Sequence, residues 1–502
     1  MTVDLTRVPV IAGAGQFTNR EVDPAAAPDP FDLIEQVTRR AAESARWPAG
    51  PAAATHCWMV HSLSLRHGDP AGALAQRLGA TGAEARCSGM GGSVPQWLVD
   101  RAADVVSAGG RPRILIAGAE ALATRRRAKR AGVDLHWPSS EGWPETWPPI
   151  VADLGVHRSE RAHGLEQATT MYALIESALA HAAGHDPESH RRAMGELMAR
   201  VNAVAAANPG AWFPVRRDAE ELTNVTAANR MICWPYPKYL NAVMNVDMAA
   251  AVIVTDAATA REWGLGPDEV AYVAGWADAK EVWFLSERPE VHRSPALAAC
   301  TSSALATAGL DAREIDAFDL YACFPSSIEV ARDTLGLAEA DPRPLTLTGG
   351  LPYHGGPGSN YVTHAVANAL DWLRAGQGES VLVHGNGFYL TTHSVGVYRR
   401  TPPTVEGPAP DAGLQDRLDA TAVALPVEDA PSGAARVVAA TVPHDRDGAP
   451  GAGIVLVDAG GRRGVARATP DLTAAILSSD PVGAEVSVGP SPDGDGNLAA
   501  PA

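Results

Sequence analysis

Two glycine-rich turns each open a segment with helical spacing, and they carry groups suited to chemistry at a carbonyl. The first, Cys87-Ser-Gly-Met-Gly-Gly-Ser-Val-Pro-Gln96, leads into a helix expected over Trp97–Ala108. The second, His354-Gly-Gly-Pro-Gly-Ser-Asn-Tyr361, leads into a helix expected over Val362–Arg374. A helix entrance presents free backbone N–H groups and the positive end of a dipole, which together can hold a negative oxygen. Beside the second turn stands His354, whose imidazole could move a proton. A third loop, ending the run Asp316-Ala-Phe-Asp-Leu-Tyr-Ala-Cys-Phe-Pro-Ser-Ser327, carries Cys323, a thiol able to act as a nucleophile. Each residue also has a plainer use: His354 as a histidine held by its turn, Cys323 as a small buried apolar group.

The elements that would position these groups repeat. After the first helix come a Gly-Gly break and the strand Arg113–Glu120; after the second come Ala-Gly-Gln-Gly and the strand Ser380–Gly387. The same order recurring far apart in the chain suggests a duplicated α/β half, in which a pseudo-twofold would bring the two entrances together. A strand over Val8–Gly15, a helix from Pro30 to about Arg46, a strand over His56–Ser64 and a helix near Ala71–Leu78 continue the α/β rhythm. Residues 123–245, rich in tryptophan and proline with an amphipathic helix over Ala168–Ala183, read as an insertion able to cap a cleft. Buried strand pattern returns at Asn245–Asp256 and Glu269–Gly275, and a helix is expected over Ser294–Ala308. Thr401–Pro410 reads as a linker by its prolines. Beyond it, Ala435–Val442, Gly453–Val457 and Glu485–Val488 are short strands of a small β-rich appendage, with a loose tail expected over Ser491–Ala502.

With 502 residues, 46% of them apolar, the chain can bury large cores in more than one domain. No window approaches the roughly 18 apolar residues of a membrane span and no signal peptide is evident, so a cytoplasmic location is expected. The formal charge of −17 disfavours nucleic acid as a partner. Five scattered cysteines without a CxxC pair argue against both a disulfide framework and a zinc site, and no metal is expected. The run Arg125-Arg-Arg-Ala-Lys-Arg130 is a local exception in an acidic chain. It reads either as a solvated helix face or as a seat for a phosphate-bearing ligand.

Gly-Gly-Ser-Val-Pro-Gln96, Gly-Ala-Glu-Ala121, Tyr-Ala-Cys-Phe-Pro-Ser326, Gly-Gly-Pro-Gly358 and Gly-Asn-Gly387 make residues 5–400 resemble the thiolase superfamily. Within it they resemble the type-one thiolase-like proteins, which carry an additional C-terminal domain and are often labelled acetyl-CoA acetyltransferases. The resemblance implies an α/β fold: two βαβαβαββ-type halves forming a layered αβαβα core, an inserted loop domain and a small C-terminal all-β domain. The implied boundaries are 1–122 and 246–275 for the first half, 123–245 for the insertion, 276–402 for the second half and 403–502 for linker and C-terminal domain.

It also implies an acyl-CoA ligand in fatty-acid or lipid metabolism, with no tightly bound cofactor. Four loops depart from the thiolase pattern. The nucleophile position falls on Gly92 or Ser93, with Cys87 five or six residues too early. Tyr321 stands where a histidine precedes the retained Cys323, Gly356 stands where the activating histidine would be, and His384 or Gly385 stands in place of the base cysteine. The expected site residues are therefore Tyr321, Cys323, His384, His354 and Ser93. Arg125, Arg126, Arg127 and Lys238 are expected near the coenzyme A phosphates. An acyltransferase is the nominal activity; a non-catalytic acyl-CoA or lipid binder, or an aldolase using tyrosine or histidine as base, are the alternatives. A monomer or homodimer is expected, with a possible protein partner at the C-terminal domain.

Overall fold

A computed structural model describes residues 3–402 and 410–502. Most of the expected linker Thr401–Pro410 lies outside the described residues. The first half supplies β1 (Pro9–Thr18), β2 (His56–Met59), β3 (Glu84–Ser88), β4 (Ile114–Ala121) and β8 (Asp247–Asp256). Strands β4 and β8 are buried along their whole length, as strands covered on both faces must be, and their sequences are near-continuous apolar runs. The second half supplies β9 (Ala271–Lys280), which starts inside the 246–275 stretch expected to end the first half, with β10 (Ala317–Asp319), β11 (Ser380–Gly387) and β12 (Thr392–Arg399). The path runs β10-β11-β12-β9-β1-β8-β4-β2-β3, and the halves join through a short antiparallel contact at Val10 and Ile11 of β1. Strand β9 pairs along most of its length with β12. Past β10, the Phe318 and Leu320 N–H groups donate to the Pro344 and Leu345 carbonyls, extending that edge.

Helices α3 (Val94–Ala108) and α12 (Tyr361–Arg374) pack on each other and on strands of both halves, forming the middle layer. On the outside, α1 (Pro30–Ser44) covers β1, β8 and β4; α2 (Pro70–Arg77) covers β2 and β3; α10 (Pro295–Ala308) covers β9 and β12; α9 (Ala257–Glu262) follows β8. The result is the αβαβα layering expected of a duplicated α/β chain, with α11 (Pro325–Thr334) leaving the cleft between halves.

The insertion holds α4 (Leu122–Ala131), α5 (Arg158–Ala162), α6 (Ala168–Ala182), α7 (Pro187–Ala207) and α8 (Ala219–Thr223). Its strands are β5 (Thr146–Trp147), which extends the sheet beside β3, and β6 (Met231–Trp234) with β7 (Tyr236–Pro237). It clasps the loop before α12: Trp212 and Phe213 N–H donate to the His354 and Tyr353 carbonyls, and Gly356 N–H to that of Val243.

Beyond α13 (Leu414–Thr421) and β13 (Val427–Glu428), five strands close into a barrel: β14 (Gly433–Pro443), β15 (Ile454–Asp458), β16 (Arg463–Ala468), β17 (Glu485–Pro490) and β18 (Asn497–Pro501). The cyclic order β14-β15-β16-β18-β17-β14, with α14 (Pro470–Ser478) between β16 and β17, is that of an OB-fold barrel. The tail expected to be loose is not. Asn497–Pro501 pairs with β16 and β17 and closes the barrel, because without it both would be open edges. The barrel is tied to the insertion where Val442 and Pro443 of β14 pair with β6. No helix among the described residues is long and apolar enough to cross a membrane.

Candidate functional site

The two helix entrances meet at the centre of the molecule. Gly91, with φ 129°, takes a conformation that favours glycine, and its N–H donates to Ser359 Oγ at 3.1 Å, from the turn before α12. A Cβ on Gly92 would lie 2.2 Å from Tyr321 Oη and 2.5 Å from the Asn386 carbonyl oxygen. The phenol of one half therefore rests directly on the start of α3 in the other. Ser93, at the N-cap, does not cap the helix; its Oγ lies 2.8 Å from Thr392 Oγ1 at the start of β12.

Tyr321 follows β10, on the loop that turns into α11 at Pro325. Ser327 Oγ donates to its carbonyl at 2.6 Å, and its ring meets Tyr361 edge-on at 5.5 Å. Burial raises the phenol well above its ordinary range, so it stays protonated and can donate a hydrogen bond. Cys323 is pushed up to about 11 by burial, which outweighs the opposing hydroxyls of Ser327 and Tyr172. Cys57, Cys87 and Cys233 are pushed up to about 12 and Cys300 well above its usual value, burial leading in each case. At neutral pH all five are thiols, and the thiolate is the nucleophilic form.

Asn386 on β11 binds this loop together: its Nδ2 donates to Tyr172 Oη at 2.8 Å and to Ser327 Oγ at 3.1 Å. Tyr172 of α6 stacks on Phe324 with ring centroids 4.7 Å apart. The insertion thus furnishes one wall of the cleft.

The two expected histidines are buried and make no hydrogen bond to the Tyr321 hydroxyl among the described residues. His384 Nε2 is 3.2 Å from His393 Nδ1; His393 Nε2 is 3.0 Å from Ser294 Oγ, which donates to Glu281 Oε2 at 3.0 Å. Burial pushes His384 down to about 3, so it is neutral, and its Nδ1 has no partner among the described residues. His354 is pushed down to about 4 by burial and stands edge-on to His364 at 5.1 Å. The Tyr361 ring touches both Tyr321 and His354.

The cations divide. Arg127 is committed to the fully buried Asp247 at 2.7 Å, and the exposed Arg125 donates to the Leu63 carbonyl. Arg126 and Lys238 are exposed, with Lys238 Nζ 5.9 Å from the Tyr239 ring. Sequence reasoning did not single out Tyr172, Ser327, Ser359, Asn386 or His393. The Gly-Asn-Gly387 motif was a usable signal for Asn386; Tyr172 in a long apolar helix gave none.

A layered, duplicated αβαβα core with an inserted cap and glycine entrances facing one another defines a thiolase-fold protein, here extended by a barrel. A family model described as "Thiolase-like protein type 1 additional C-terminal domain" matches residues 413–494. The crystal structure of a monomeric SCP2-thiolase like protein type 1 from Mycobacterium smegmatis is 32% identical, covers 100% of both chains and superposes with a TM-score of 0.83. The chain belongs to that family, the SCP2-thiolase-like proteins of type 1. Two more distant structures share the fold alone. An Ltp2–ChsH2(DUF35) aldolase is 19% identical, covering 79% of this chain and 98% of its own, with a TM-score of 0.60. Human mitochondrial 3-ketoacyl-CoA thiolase in complex with CoA is 14% identical, covering 80% of this chain and 100% of its own, with a TM-score of 0.54. A search of the curated proteins found no match.

Proposed function

We propose that the chain binds an acyl-CoA thioester over the α3 entrance and acts on it without a covalent acyl-enzyme. The contact between Tyr321 Oη and Gly92 carries this reading, because a neutral phenol fills the space in which a nucleophile's Cβ would stand. The reaction class that suits such a group is making or breaking the carbon–carbon bond next to the thioester, as in an aldolase. In the cleavage direction the β-hydroxyl gives its proton to solvent water as the Cα–Cβ bond breaks, the carbonyl product leaves, the bonding pair becomes the thioester enolate, and the α-carbon then takes a proton from water. Tyr321 donates to the enolate oxygen, where negative charge develops. Acyl transfer through Cys323, the nominal activity, would require a thiol held near 11 to ionise. Arg125, Arg126 and Lys238 are the exposed cations proposed to meet the coenzyme A phosphates. We further propose a monomer, as in the M. smegmatis relative, in a reducing cytoplasm that keeps the five buried thiols unpaired.

The test offers acetyl-CoA, acetoacetyl-CoA and a β-hydroxyacyl-CoA while following intact mass, thiol release and carbonyl product. Carbonyl release without an adduct is expected, falling about 10²–10⁴-fold in Tyr321→Phe. An acyl adduct on Cys323 would overturn the reading in favour of covalent transfer. Tight CoA binding with no turnover of any substrate would replace it with a non-catalytic binding protein.

A further inference from the structure

We infer that Glu176, His190 and Glu329 form a binding site for a divalent transition-metal ion at the junction of insertion, second half and barrel. The three come from α6, α7 and α11, and one ligand atom from each lies within 4.8 Å of the others. All three side chains are buried: Glu176 0%, His190 5% and Glu329 6% exposed. Glu176 and His190 satisfy each other, with Nε2 to Oε1 at 2.5 Å, and Glu176 also accepts from Tyr236 Oη. Glu329 is the anomaly. Its carboxylate faces this pair yet accepts no hydrogen bond among the described residues, and the arginine one turn on, Arg332, is engaged by Asp333.

A buried carboxylate without a hydrogen-bond donor is costly; the charges of His190 and Arg332 offset part of that cost, and a metal ion held against it would offset the rest. Burial and the nearby Glu176 charge do push Glu329 up to about 8. Two carboxylates and an imidazole are a ligand set suited to zinc or manganese. Bonds of about 2.0–2.2 Å place ligand atoms roughly 3.5 Å apart, so an ion would open the Glu176–His190 pair from 2.5 Å and draw all three ligand atoms, now within 4.8 Å of one another, around itself. Glu176 and His190 also line a cavity of about 110 Å³ together with His185, Met194, Trp234 and Asp480. It gives an ion a path in and has room for the waters that complete its coordination. The site lies one turn along α11 from the loop of Tyr321, so an occupied site would pin the insertion to that loop. It stands independently of the acyl-CoA reading.

The experiment strips full-length protein with EDTA and returns ZnCl₂ or MnCl₂, with metal content measured after gel filtration and thermal melting run in parallel. About one ion per chain and a higher Tm are expected. Glu329→Gln copies the shape of the protonated acid, so the metal-free variant should melt where the wild type does, while its metal affinity falls about 100-fold or more. No retained metal in the wild type, or equal retention by Glu329→Gln, overturns the site and leaves a protonated carboxylate in its place. His190→Ala provides a second loss of ligand, read only against its own metal-free melting temperature.

Discussion

At the entrance to α3, Gly92 faces a tyrosine hydroxyl and a main-chain carbonyl of the other half; at the entrance to α12, Gly355 faces Met248, Trp212 and Val246, and Gly356 faces Leu351. The sequence pattern of the two turns is alike, but Gly92 meets polar atoms where Gly355 and Gly356 are packed against side chains that are almost all carbon. Duplication supplied two places able to hold a negative oxygen, and the insertion closed one of them by laying Trp212 and Val243 across it. On the proposed function, chemistry falls to the α3 entrance, with Tyr321 of the opposite half as the acting side chain.

The largest effect should come from crowding the polar entrance. Gly92→Ala drives a methyl into Tyr321 Oη and into the fixed Asn386 carbonyl, neither of which can swing away cheaply, and should cost about 3 kcal/mol. Gly356→Ala meets one flexible side chain, Leu351, nearest at its Cδ2 at 2.9 Å, and should cost about 1 kcal/mol. Urea unfolding of the two variants measures the difference. Equal midpoints would mean that the entrances are equally tight and that the contrast drawn here is false.

A second contrast sets two buried carboxylates against each other, one in each half. Glu120, at the end of β4, is hydrogen-bonded on both oxygens: Leu63 N–H donates to Oε1, and Ser64 N–H and Oγ donate to Oε2. Asp319, at the end of β10, gathers Leu347 N–H, Thr348 N–H and Thr348 Oγ on Oδ2 alone, leaving Oδ1 buried and bare. Burial pushes Asp319 up to about 6 from 3.8. A folded value above the unfolded one means a contribution that is whole below pH 3.8 and lost as pH rises through 6. Asparagine cannot ionise and can place its amide at Oδ1. Asp319→Asn should therefore gain on the wild type by on the order of 2 kcal/mol between about pH 4 and pH 7. Burial pushes Glu120 up too, to about 7, but both of its oxygens face donors, so Glu120→Gln turns an amide toward an N–H or O–H whichever way it sits and should destabilise. Parallel stability profiles for Asp319→Asn and wild type would remove the distinction.

The strands and central helices of the core were legible because both faces of the sheet are buried and glycines punctuate the elements; the strand at Ser380–Gly387 coincides with its expected limits. The 21-residue α7 was not, since its small and charged residues give a weak apolar stripe, nor was β18, whose five residues carry no alternation. Their order comes from partners distant in sequence. The site divides in the same way. Tyr321 and Cys323 stood out by their motif, while Ser359, Asn386 and Tyr172 owe their places to contacts 268, 59 and 214 residues away. No local pattern can encode such a pairing. The Glu176–His190–Glu329 cluster is assembled from three helices and escaped a search keyed to cysteine spacing for the same reason.

The smallest effect tests whether the entrances are coupled or merely adjacent. Ser359 Oγ is the direct hydrogen bond by which the α12 turn holds the α3 turn, through Gly91 N–H. Ser359→Ala removes the acceptor and should cost about 1 kcal/mol, because the bond is neutral and its loss leaves one N–H to find water in the cleft. If the entrances act as a unit, freeing Gly91 also loosens the seat of the Tyr321 phenol on Gly92. Turnover would then fall several-fold while the affinity for CoA, which the proposed function assigns to surface cations, stays unchanged. If stability drops by that amount and turnover does not move, the hydrogen bond is scaffold only, and the α3 entrance works without its twin.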